Sequence, residues 1–252
     1  MSRGLGDVYK RQVKGQQALA TADLVVYAGS LVPEALLKWT RPDCRHLSSA
    51  GLHLDEMVST MADAWQAGQK VVRLHTGDPS LYGAIFEQMA KLSHRNIPYT
   101  VIPGVTAAFA AAAALGVEYT LPEVSQTLIL TRLSGRTPVP KSESLASLAT
   151  HRATMAIYLS MSMVDEMTRI LSTAYGSKGA CAVVYRASQP DQKILWTTTG
   201  ELAATVKKEK ITRTALVVVG RVLDVSLETL VHHSKLYDRH FAHGYREAKD
   251  QR

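Results

Sequence analysis

Apolar positions along this chain alternate between short continuous runs and the wider spacing of helices. The apolar run at 24–28, closed by Gly29 and Ser30, predicts a strand over 22–29. Residues 55–67 carry Met57, Met61, Ala64 and Trp65 at helical spacing and stop at Gly68. Residues 70–75 are again strand-like and end in Thr76-Gly77-Asp78-Pro79, ahead of a helix over 81–92. Residues 99–102 read as a strand stopped by Pro103-Gly104, and an alanine-rich helix starts at Thr106. Strands alternating with helices in this way predict an α/β fold with a largely parallel sheet.

A polar, proline-containing break, EYTLPE at 118–123, precedes a second alternation. Strands are predicted at 127–133, 154–159, 180–185, 194–199 and 214–219, with helices at 142–151, 164–175 and 201–209. The second half has more adjacent strands than the first, which predicts a mixed sheet there. The expected organisation is a leader at 1–12, an N-terminal α/β lobe at 13–120, a C-terminal α/β lobe at 121–231 and a tail at 232–252.

Composition narrows the function classes. The chain is 46% apolar and 20% charged, which is globular rather than disordered. No apolar stretch approaches the roughly 18 residues of a membrane span. Cys44 and Cys181 are far apart, so a disulfide framework is not expected and a reducing cytoplasm fits. The formal charge of +7 suits a polyanion, but the basic residues are dispersed and the 6% of aromatics do not interleave with them. An acidic small molecule explains the charge as well as a nucleic acid or membrane does, and the expectation is a small-molecule partner with no nucleic acid and no membrane.

In parallel sheets ligands sit beyond the carboxyl ends of strands, and three such ends carry unusual residues. In HTGDPSLYG, 75–83, Gly77 permits close backbone approach and Asp78 offers a carboxylate, unless this is a plain strand–turn–helix connection. In IPGVTAA, 102–108, Thr106 can cap the helix with its hydroxyl toward the crevice, or serve ordinary capping. In TRLSGRTPVP, 131–140, Arg132 and Arg136 around Gly135 suit paired carboxylates, or form a solvated basic loop. Asp165 and Glu166 read as a solvated helix face, and His232, His233, His240 and His243 lack the company of a metal site. There is no P-loop and no nucleophile triad.

Taken together, these segments resemble the tetrapyrrole methyltransferases of cobalamin synthesis over 13–246. The resemblance is carried by ADLVVYAGSLVPEAL, RLHTGDPSLYGAI, IPGVTAAFAAAAALGVEYTLPEVSQTLILTRLSGRTPVP, AVVYRASQPDQKI, TRTALVVVG and SKLYDRHFAHGYR, in the expected order. It implies a two-lobed class III methyltransferase, usually a homodimer, that uses S-adenosylmethionine. The LPEVSQT run and the SKLYD…HGYR tail point to the branch that methylates C11 of precorrin-4 or cobalt-precorrin-4. Action at another ring carbon and a non-catalytic tetrapyrrole-binding remnant are the alternatives. Carried over residue by residue, the cofactor contacts fall on Thr76, Gly77, Asp78, Thr106, Ala107, Leu159, Tyr185, Ala187, Thr214 and Ala215. Arg132 and Arg136 are the expected substrate contacts, and no catalytic base is identified.

The front departs from the resemblance. Family members begin with an apolar strand and a glycine loop of the type GAGPGDPDL. This chain has VKGQ at 13–16 but neither of those, and its Gly4-Leu5-Gly6-Asp7 follows no strand. Residues 1–12 resemble translated library-adapter sequence. The expectation is a foreign leader, a missing first strand, neighbours with unpaired backbone groups, and poor methylation by the chain as written.

Overall fold

The computed structural model describes residues 13–29, 31–226, 228, 231, 234–235 and 238–247. The expectations about the leader and about His232 and His233 lie outside the described residues. The chain divides into two compact units, one ending at Ala110 and the other starting at Ala111.

The first unit is organised by β1 (Leu24–Tyr27), whose sequence LVVY is apolar on both faces. It lies centrally in a three-stranded parallel sheet, between β2 (Arg45–Ser48) and β3 (Val71–Leu74). Leu24 is in register with Arg45 on one side and Val71 on the other. Asp23 fixes the start of this ladder by accepting the Lys70 N–H at 2.7 Å and the Arg41 guanidinium at 2.6 Å. Successive strand residues face opposite ways, and each face has a helix. Val25 packs with Leu19 of α1 (Val13–Ala20), while Leu24 and Val26 pack with Met57, Val58 and Met61 of α2 (Leu54–Gln66). Glu56 caps α2 by accepting the His53 N–H at 2.8 Å.

Three details depart from the sequence reading. β2 was not expected, because its RHLS lacks apolar alternation. The helix expected at 81–92 is α3 (Ile85–His94), which starts later because Tyr82 and Ala84 take left-handed backbone and Gly83 folds against Pro79. Residues 99–102, expected as a strand, belong to no ladder among the described residues.

The division between units falls within α4 (Ala107–Leu115). The second unit holds a five-stranded mixed sheet in the order β4-β5-β8-β6-β7. These strands are β4 (Leu128–Arg132), β5 (Thr154–Tyr158), β6 (Ala180–Tyr185), β7 (Lys193–Thr198) and β8 (Ala215–Val219). β4 and β5 are parallel, while β8 runs antiparallel to both β5 and β6. The core packs Met155, Ile157, Cys181, Val183, Val217 and Val219 against Met167 and Leu171 of α6 (Val164–Tyr175) and Leu202 of α7 (Leu202–Lys208). The opposite face of β6 and β8 is equally closed, with Ala182, Val184, Leu216 and Val218 all buried. The helix expected over 142–151 is broken into a short turn and α5 (Leu145–Ala149), because Ser144 accepts the Ser147 N–H and restarts the helix there.

Candidate functional site

β3 delivers His75, Thr76, Gly77 and Asp78 at its carboxyl end. Asp78 is the joint of this region: Oδ1 accepts the Ser80 N–H at 2.8 Å, and Oδ2 accepts the Gly104 N–H at 2.7 Å. Ser80 Oγ donates to the same Oδ1. Burial pushes the Asp78 carboxyl up, but the hydrogen bonds from Ser80 and Gly104 outweigh it and hold the group below its ordinary value. The turn at 76–78 and the turn at 104–107 therefore meet backbone to backbone. A Cβ on Gly104 would overlap the Gly77 carbonyl, and one on Gly77 (φ +66) would lie 3.6 Å from the Val105 carbonyl oxygen. Thr106 is buried, and its carbonyl accepts the Phe109 and Ala110 N–H groups, each at 3.1 Å, as α4 begins. His75 is held neutral, with its pKa pushed down to about 4 by burial and by the nearby Arg73 charge.

The second group of predicted residues gathers at one end of the five-stranded sheet. β4, β5 and β6 end there while the antiparallel β8 begins, which places Leu159, Tyr185, Ala187, Thr214 and Ala215 on adjacent strands. Tyr185 is paired with Ala215, and the Arg186 N–H donates to the Thr214 carbonyl at 2.9 Å. Leu159, Arg186, Ser188 and Thr214 all have positive φ, between 48° and 66°. Such backbone costs of order 1–3 kcal/mol per residue and persists only where the surroundings enforce it. The enforcement is visible. Arg186 donates to Gln189 at 2.6 Å and Asp191 at 2.8 Å, Gln192 accepts the Ser188 N–H at 2.7 Å, and Ser160 accepts the Leu133 N–H at 2.8 Å. Leu159 is 67% exposed at this edge, an apolar platform framed by backbone polar groups. That combination fits a flat heterocycle with hydrogen-bonding edges.

Arg132 and Arg136 differ in their surroundings. The Arg132 guanidinium donates to the carbonyls of Leu133, Thr137 and Pro138 at 3.0–3.3 Å, so it shapes its own loop. Arg136 stands exposed on that loop. Sequence reasoning missed the Arg186–Gln189–Asp191 turn, for which the run SQPDQ was the available signal. It also missed the strained residues, since no glycine or asparagine marks them. Among the described residues no helix is long and apolar enough to cross a membrane.

Comparison with known proteins gives a consistent result. The family described as Tetrapyrrole (Corrin/Porphyrin) Methylases matches residues 4–203. The chain is 48% identical over 246 residues to a cobalt-precorrin-4 C(11)-methyltransferase of Methanocaldococcus jannaschii, covering 97% of this chain and 94% of that protein. It is 47% identical over 220 residues to a precorrin-4 C(11)-methyltransferase of Pseudomonas aeruginosa, covering 87% and 88%. The X-ray structure of a cobalt precorrin-4 methyltransferase, a cobalamin biosynthetic enzyme, superposes with a TM-score of 0.81 at 44% identity, over 84% of this chain and 90% of that one. A uroporphyrin-III C-methyl transferase from Thermus thermophilus, complexed with S-adenosyl homocysteine, shares the fold at a TM-score of 0.69 and 23% identity, over 85% and 92%.

Proposed function

Because the chain belongs to the tetrapyrrole (corrin/porphyrin) methylases, we propose that it transfers a methyl group from S-adenosylmethionine to C11 of precorrin-4 or cobalt-precorrin-4 in cobalamin biosynthesis. The observation that carries this reading is the 48% identity to a cobalt-precorrin-4 C(11)-methyltransferase across 97% of the chain. S-adenosylmethionine supplies an electrophilic methyl on a sulfonium, so the protein needs placement and alignment rather than a nucleophile of its own.

The residues fit that demand. Thr76, Gly77, Asp78, Thr106 and Ala107 offer backbone groups in turns brought together by Asp78 and Gly104. Leu159, Tyr185, Ala187, Thr214 and Ala215 offer an apolar platform with fixed backbone donors and acceptors. Both sets are assigned here to the methyl donor. Arg136 is assigned to a carboxylate of the macrocycle, with Arg132 holding the loop that carries it. Cobalt, where present, arrives as part of the substrate. A homodimer in the cytoplasm completes the reading, the dimer supported by the exposure of Phe86 at 80% and Phe109 at 55%.

The test is incubation of the full chain with carbon-13 methyl-labelled S-adenosylmethionine and cobalt-precorrin-4 or metal-free precorrin-4, followed by NMR of the product. A single new methyl on C11 is expected. Labelling at another ring carbon overturns the position assignment, and donor binding without transfer to either macrocycle overturns the substrate assignment.

A further inference from the structure

At the carboxyl ends of β4 and β5 one side chain holds two loops in place. The parallel ladder between these strands ends with the pair Arg132 and Tyr158. One step further, Leu133 enters the loop that carries Arg136, while Leu159 takes left-handed backbone at φ +52 and turns outward. Beside them lies Ser160, only 1% exposed. Its hydroxyl accepts the Leu133 N–H at 2.8 Å and donates to the Tyr158 carbonyl at 2.6 Å.

Each bond has its own consequence. The bond to Tyr158 spans two residues and closes a tight turn around Leu159, whose side chain disfavours the φ it adopts there. The bond from Leu133 ties the first residue of the arginine loop to that same turn. The turn supports the loop a second time. After Ser160 the chain makes a short helical turn, Met161–Met163, and Met163 Cε lies 3.6 Å from the position a Cβ on Gly135 would take. Leu133, Met161 and Met163 all pack into the core of the second unit, which anchors both sides of the joint. Within the loop, Ser134 accepts the Val139 N–H at 3.3 Å and so carries the constraint past Arg136.

We infer that Ser160 is a positioning residue for both reactants: its hydroxyl holds the Leu159 platform and the Arg136 loop in one fixed relation, so that methyl donor and macrocycle depend on the same pair of hydrogen bonds. Buried as it is, Ser160 acts through Leu159 and Arg136 rather than by touching either molecule. This inference rests on the proposed assignment of Leu159 to the donor and of Arg136 to the macrocycle. The arrangement has a chemical reason. Methyl transfer needs the acceptor carbon in line with the methyl and the sulfur, and a small displacement of either reactant is costly. A shared hydroxyl keeps the two surfaces in step.

The experiment compares Ser160→Ala with Thr154→Val in the full chain. Thr154 starts β5 at its other end, is fully buried, and donates through its hydroxyl to the Tyr119 carbonyl at 3.0 Å. Each variant removes one buried hydroxyl next to the same strand, so both are expected to lower the urea midpoint. Only Ser160→Ala is expected to raise the S-adenosylhomocysteine Kd, read by titration calorimetry, and the KM for cobalt-precorrin-4, each about tenfold. In an Arg136→Ala background, Ser160→Ala is expected to raise that KM no more than about twofold further, because both changes act on one contact. Unchanged donor affinity in Ser160→Ala overturns the donor half of the inference. Equal affinity losses in Thr154→Val mean a general loosening of the sheet and overturn the positioning role. Full multiplication of the two KM effects overturns the route through Arg136. The wild-type chain tests the functional reading separately. Donor binding without transfer overturns the macrocycle half together with the substrate assignment, and the donor Kd of Ser160→Ala still decides the other half. A wild-type chain that binds no donor overturns the inference along with the reading it rests on.

Discussion

Gly104 and Asp78 join two turns through a contact that leaves no room for a side chain. A methyl on Gly104 would overlap the Gly77 carbonyl, so the turns must separate and the Asp78–Gly104 hydrogen bond of 2.7 Å must lengthen. Gly104→Ala is therefore expected to cost about 1–3 kcal/mol of stability and to weaken donor binding at least as much, measured by urea unfolding and titration calorimetry. Gly51→Ala, where an added Cβ meets nothing within 4 Å, is the matched control and is expected to be silent. Two titrations act in the same region. His75 has a pKa pushed down from 6.5 to about 4, mainly by burial, so the unfolded chain binds its proton first. The stability this gives is complete above pH 6.5 and declines as the pH falls from there toward about 4. Asp78, also lowered, adds a second loss only below the ordinary aspartate value of 3.8. Urea midpoints across this range are expected to fall in two stages, and His75→Gln is expected to flatten the upper one. An unchanged upper stage in that variant removes His75 as its source.

The loop after β4 separates a shaping arginine from a presented one. Arg132 donates to three carbonyls within six residues of itself, so Arg132→Ala frees the loop as well as removing charge. Arg136→Ala removes charge alone. The expected split is a raised macrocycle KM for both, about tenfold for Arg136→Ala if one carboxylate contact is lost, with a lowered thermal midpoint only for Arg132→Ala. Equal midpoints in the two variants refute the shaping role. This division was not legible in the sequence, where both residues read alike as guanidiniums on one loop. Elements were legible where local pattern and tertiary context agree: Val164–Tyr175 and Ala180–Tyr185 stand at their expected bounds. At residues 99–102 the pattern has no ladder to match among the described residues, because a strand is a paired object and apolar β-branched residues form none without a neighbour. It failed at β2 for the opposite reason, since pairing with β1 makes a strand of a polar segment. At the site, Gly77 announced close approach, whereas Gly104 read only as the stop after a strand. The positive φ of Leu159, Arg186 and Thr214 had no such marker, because the constraint comes from neighbouring strands rather than from the residues themselves.

The two units carry unequal shares of buried structure, and this predicts an order of unfolding. In the second unit, five strands form one sheet, and residues from β5, β6, β8, α6 and α7 share a single cluster with Met155, Met167, Leu171 and Val217 fully buried. Among the described residues, the first unit has three paired strands, two smaller clusters on opposite faces, and a β3 laddered to β1 alone beside a cavity. Smaller apolar clusters and pairing on one side only both lower the free energy of local opening. The amides of Leu24–Tyr27 and Val71–Leu74 are thus expected to lose hydrogen-exchange protection at lower urea than those of Ala180–Tyr185 and Ala215–Val219. The measurement is native-state exchange read by mass spectrometry over a urea series below the global transition. Coincident loss in all four segments means that the chain unfolds as one cooperative body, and that the smaller clusters around β1 and β3 carry no energetic penalty of their own. Separate loss, first unit first, ties that penalty to the strand whose end carries Thr76, Gly77 and Asp78, and under the proposed assignment of these residues it makes donor binding sensitive to whatever stiffens β3.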